Sequence, residues 1–142
     1  MAAYSNDPTI GDDEALLRGL LPRCVEDPPG GAVLYTAFLP RQKEDHLSVF
    51  RESYCQPMRL FKKTLRYSKA LGRIYAEPVR QLAPAVAGIG RDAKQSQCHV
   101  LILRQEGFER NDPRWLATAQ RLAALCEVSH LNPKIPPPWP TP

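Results

Sequence analysis

No two cysteines stand close together in this chain: Cys24, Cys55, Cys98 and Cys126 are each isolated. Structural zinc draws its ligands in closely spaced pairs, so this spacing excludes that class of metal site. Long apolar runs are also missing. None approaches the roughly 20 residues a membrane helix needs, so no membrane association is expected. The first residues, MAAYSNDPTIGDDE, carry neither a basic region nor an apolar stretch, and no secretory leader is expected there. Unpaired thiols in such a chain point to the reducing cytoplasm. Gly88-Ile89-Gly90 has no following glycine or helix and fails as a nucleotide loop. Serine-elbow, Walker and metalloprotease patterns are absent. The sequence therefore assigns no cofactor, no metal and no catalytic residue.

What is present suits one globular domain. The 142 residues are 43% hydrophobic and 24% charged, enough apolar material to bury a core without staples. A formal charge of +4 permits attraction to nucleic acid or to an acidic protein. Fifteen prolines are about twice the average share. Pro133, Pro136, Pro137, Pro138, Pro140 and Pro142 crowd the C-terminal end.

Residues 1–11 are polar and aperiodic and read as a loose arm. Acids at Asp12, Asp13 and Glu14 would open a short helix carrying Leu16, Leu17 and Leu20, stopped by Pro22. The stretch 32–39, AVLYTAFL, reads as a strand, and 46–50, HLSVF, as a second that would form a hairpin with it. The periodicity over 58–71 predicts a helix: Leu60, Phe61, Leu65 and Leu71 fall on one side, and Pro57 suits its first turn. Short strands are expected over 74–76 and 85–89, around a turn at 79–82. The run CHVLIL at 98–103 reads as a strand covered on both faces. Asp112-Pro113 forms an N-cap pair for a helix to about residue 126, with Trp115, Ala119, Leu122 and Cys126 as its core stripe. Residues 128–131 would add an edge strand. The expectation is a single α+β domain over 12–131, a mixed sheet with two main helices packed on one face, followed by an extended Pro-rich tail over 132–142.

The strongest charge pattern is a basic stripe, Arg59, Lys62, Lys63, Arg66 and Lys69, on the outer side of the 58–71 helix. It could track phosphates or meet an acidic partner, or simply keep an amphipathic helix solvated. The tail fits polyproline II, with Pro136 and Trp139 as anchors for an aromatic groove. Packing of Ile135 and Trp139 back onto the domain is the alternative. His46 follows two acids, but neighbours in a strand point apart, so Asp45 and His46 should diverge. His99 lies in the apolar strand, on the side of Leu101 and Leu103. With Ser48, Arg18 or a thiol, either histidine could serve a hydrolase or transferase, although nothing in the sequence places them together. Cys98 and Cys126 read as small hydrophobes. Cys24 and Cys55 fall in loops.

Leu16-Leu17-Arg18, Ala37-Phe38-Leu39-Pro40-Arg41, Asp45-His46-Leu47-Ser48-Val49 and a later apolar strand with His99 form a pattern. By these phrases the chain resembles a set of small bacterial proteins with no assigned activity, over roughly 16–127. The resemblance implies an accessory protein of the type found in bacterial conflict and defence loci. The leading expectation is a small non-catalytic accessory or regulatory protein that binds a protein partner. Nucleic-acid binding through the stripe and a toxin-like hydrolase or transferase are the alternatives.

Overall fold

The computed structural model describes residues 5–21, 24–25, 32–40, 45–91, 97–108 and 112–135. They form an α+β domain around one six-stranded sheet. The strands are β1 (Ala15–Leu20), β2 (His46–Arg51), β3 (Ala70–Tyr75), β4 (Val86–Gly90), β5 (His99–Arg104) and β6 (Glu127–Leu131). Their spatial order is β4-β5-β2-β1-β3-β6. Every pairing is antiparallel, where a mixed sheet was expected.

Several expected elements change type. Leu16, Leu17 and Leu20 belong to a strand, not a helix. All three are fully buried, because β1 lies inside the sheet and is covered on both faces. An apolar run of that length fits either element by periodicity. The stretch 32–39 is not a strand: Val33 makes one bridge to Val25, and Tyr35–Phe38 then coils into a 3-10 helix. β2 consequently forms no hairpin with it and pairs with β1 and β5 instead.

The helix expected over 58–71 stops early. α1 spans Pro57–Lys62, and Leu71 enters β3, whose six pairs with β1 run from Ala15↔Tyr75 to Leu20↔Ala70. That ladder overrides the helical periodicity of the segment, as tertiary context commonly does. Between β3 and β4 sits a one-turn helix, α2 (Ala76–Arg80), where a turn was expected.

α3 (Pro113–Leu125) forms as its signals indicate. Asp112 caps it by accepting from the Arg114 backbone N–H at 2.8 Å, and Trp115, Ala119 and Leu122 are wholly buried. With the 3-10 helix, α3 covers the larger core on the face of Leu16, Val49 and Ile102. α1 covers the opposite face, where Leu60 and Phe61 pack with Leu17, Phe50 and Leu71 in a smaller core. Helices thus lie on both faces, not one. Alternation along β1 dictates this, since Leu16 and Leu17 must point to opposite sides.

The N-terminal segment is not a loose arm over its described part. Asp7 donates its N–H to the Ile89 carbonyl at 2.7 Å, Asn6 Oδ1 accepts from Ile89 N at 3.0 Å, and Ile10 is fully buried. Gly88 permits this approach: its φ is +151°, and a Cβ there would meet Asn6. The tail also begins docked. Asn132 donates Nδ2–H to the Ser68 carbonyl at 3.0 Å, and Ile135 packs on the larger core.

Candidate functional site

β1 and β2 are neighbours for only two residue pairs, Leu16↔Arg51 and Leu17↔Phe50. β1 holds six pairs with β3, and β2 holds five with β5. Past Leu17 the two central strands part. The Arg18 guanidinium occupies the parting, donating from Nη1 to the Ser48 carbonyl at 2.7 Å and from Nε to the Ala37 carbonyl at 2.8 Å. A side chain thus satisfies a strand carbonyl that a neighbouring backbone N–H would otherwise bond.

A cleft of about 770 Å³ opens at this parting. Its walls come from both faces of the sheet. Arg18, Ala37 and Leu47 line it, and so do His46, Ser48 and His99. The wall beyond the sheet is the segment after α1, with Thr64, Leu65, Tyr67 and Ser68. Gly19 is small because this wall comes close: a Cβ there would sit 2.8 Å from Ser68 Oγ and 3.0 Å from Leu65 Cδ2. Among the described lining residues none is acidic, while Arg18 and two histidines are basic or titratable.

The four polar residues that the sequence singled out separately, Arg18, His46, Ser48 and His99, therefore meet in one cleft. His46 Nδ1 lies 3.1 Å from Asp45 Oδ1. The expected divergence fails because Asp45 precedes the strand and escapes its alternation. His46 and Ser48, two residues apart on β2, do share a face. The His99 ring packs 5.2 Å from that of Phe50.

The basic stripe is dispersed. Arg59 and Lys62 are on α1, Lys63 is its C-cap, and Arg66 lies in the following turn with its guanidinium 5.6 Å from the Tyr67 ring centre. Lys69 is 5% exposed at the entry to β3. The helix ends at Lys62, so residues beyond it no longer follow a helical spacing. Pro136 and Trp139 lie outside the described residues.

Two of the thiols are not free. Cys55 and Cys98 are joined in a disulfide, with Cα atoms 5.6 Å apart. This corrects the expectation of four reduced cysteines; residues 43 apart are brought together by β5 pairing beside the β2 exit. Cys126 does act as a small core hydrophobe, and burial pushes its thiol up to about 12. Cys24 is buried and unbridged, against the cleft.

Sequence reasoning missed Gly19, Phe50, Thr64 and Ser68 as cleft residues. No local pattern marks them, because the cleft exists only where two strands separate. Among the described residues no group of three or more His, Cys, Asp or Glu is placed to hold a metal ion. No described helix is long and apolar enough to cross a membrane. No protein-family model matches the chain, and no curated protein or solved structure matches it.

Proposed function

We propose that the protein is a small non-catalytic binding module of accessory or regulatory kind, and that the cleft between β1 and β2 is its recognition site. The observation that carries this is the two-pair ladder with the polar cleft at its end. Its volume lies within the range of small-molecule sites, roughly 300–1,000 Å³, and such sites combine apolar walls with a few convergent polar groups. Leu47, Leu65 and Phe50 supply the first; Arg18, His46, Ser48 and His99 supply the second. The Arg18 cation, with no acid among the described lining residues, favours an anionic ligand rich in oxygen. The same reading leaves a partner protein as the recipient of the binding signal.

Thermal unfolding in the presence of phosphate, pyrophosphate, nucleotides and dicarboxylates tests the proposal. A ligand at a hundredfold excess over its Kd should stabilise the fold by about 2.7 kcal/mol, raising Tm by roughly 8 °C. Thr64→Trp, at an exposed position on the cleft wall, should abolish that shift while leaving the unliganded Tm nearly unchanged. If no compound shifts Tm, and native mass spectrometry of the freshly purified protein shows no bound small molecule, the reading fails.

One observation favours a second reading. The Asp45–His46 contact orients a histidine beside Ser48, the beginning of a nucleophile arrangement. A hydrolase of this kind should be labelled at Ser48 by a fluorophosphonate, with loss of labelling in His46→Ala. An unlabelled Ser48 removes it.

A further inference from the structure

The disulfide sits where it can control the cleft. Cys55 immediately precedes the Gln56 cap of α1, and Cys98 immediately precedes His99 at the start of β5. His99 is one wall of the cleft, against Phe50. The chain leaving α1, from Thr64 to Ser68, is the opposing wall. A single covalent link therefore ties the supports of both walls together. α1 has only six residues, far below the length at which a helix holds itself. It is kept in place by Leu60 and Phe61 in the smaller core, against which Cys55, Leu65 and Cys98 also pack. Neither bridged cysteine belongs to the larger core under α3. Both are half-buried and so within reach of a soluble thiol.

We infer that the Cys55–Cys98 disulfide is a redox-sensitive clasp on the cleft: oxidised, it holds the wall after α1 against the sheet, and reduced, it lets α1 and that wall move away. The chemistry is ordinary thiol–disulfide exchange. One thiolate of a dithiol reductant attacks one sulfur, and the bond between Cys55 and Cys98 breaks. The second thiol of the reductant then displaces the mixed disulfide. Two electrons and two protons pass to the protein, which gains two thiols, and the reductant closes its own disulfide. A small-molecule disulfide reverses the step. The inference rests on the cleft being the binding site, but its test needs no ligand, so the two can fail separately.

The experiment compares amide hydrogen exchange of the full chain, oxidised and after dithiothreitol, with thiols counted by alkylation in denaturant. The oxidised protein should show two reactive thiols, from Cys24 and Cys126, and the reduced protein four. On reduction, amides of α1 and of residues 63–68 should exchange faster by on the order of tenfold, while those of α3 keep their rates. A Cys55→Ser/Cys98→Ser double variant should show the fast pattern without reductant. Four thiols in protein prepared with a disulfide oxidant would overturn the inference. So would unchanged exchange after reduction, or an acceleration that includes α3, which would make the bond a staple of the whole fold.

Discussion

Replacing Trp115 by alanine should lower the stability of the domain by about 4 kcal/mol, the range measured for truncating a large buried aromatic. Trp115 is fully buried on the inner face of α3. Its Nε1–H donates to the Phe38 carbonyl at 3.1 Å, so the indole also satisfies the end of the 3-10 helix. Truncation opens a cavity between α3 and the sheet and leaves that carbonyl without its donor. Trp115→Phe separates the two losses. It keeps most of the ring and deletes the hydrogen bond, at a cost of about 1–2 kcal/mol. With a urea m-value of about 2 kcal/mol per molar, the alanine variant should unfold roughly 2 M earlier than the parent. Equal midpoints for the two variants would show that the cavity collapses and that the carbonyl dominates.

Glu14→Gln should be the next most costly change, at about 3 kcal/mol. Glu14 and Arg51 form a two-pronged pair, Nε to Oε1 at 2.7 Å and Nη2 to Oε2 at 2.8 Å, with side chains 14% and 5% exposed. The Arg51 guanidinium also lies 3.9 Å from the Tyr54 ring centre. Removing the carboxylate strands a nearly buried cation. The hydrogen bonds from Arg51 hold the Glu14 carboxyl below its ordinary 4.5, with burial opposing and the Gly11 N–H assisting. Arg73 does the same for Glu52. Below pH 4.5 the unfolded chain binds protons that the native carboxylates still refuse, so stability must fall as the solution is acidified through the native values. Above pH 4.5 the contribution is complete. Arg51 and Arg73 are shifted upward by the same pairs and add no further dependence below about pH 12. The Glu14 and Glu52 pairs should leave the urea midpoint unaffected above pH 5 and lower it towards pH 3, and Glu14→Gln should flatten part of that drop. An unaltered slope in the variant would show that Glu14 is not a source of the acid sensitivity.

Much of the C-terminal half was legible from local chemistry. Asp112-Pro113 marks the start of α3, the apolar run at 98–103 marks β5, and the short segment before Asn132 marks the edge strand β6. Each of these rests on a signal confined to a few residues. The N-terminal half was less readable because its segments satisfy two patterns at once. Leu16, Leu17 and Leu20 fit one side of a helix as well as they fit a strand buried twice. Leu60 and Leu71 share a helical phase, yet one anchors α1 and the other enters a ladder that β1 and β6 complete. The site had a similar fate. Arg18, His46, Ser48 and His99 each stood out as chemically capable, and all four belong to the pattern that forms the resemblance. Their meeting depends on β1 and β2 separating after two pairs, which is a property of the sheet and not of either segment.

The strand order also dictates when this chain can assemble. β2 lies between β1 and β5, and β3 between β1 and β6. During synthesis β1 can pair with both β2 and β3 once residue 75 has left the ribosome, but β2 and β3 each remain open on the side whose partner has yet to emerge. β2 waits for residues 99–104, the Asp7 contact waits for Ile89, and β3 is closed only by residues 127–131. Pairings this distant are slow to close and leave apolar strand faces uncovered meanwhile. The nascent chain thus carries an unfinished sheet until residues 127–131 have emerged, and only then can β3 be closed on both sides.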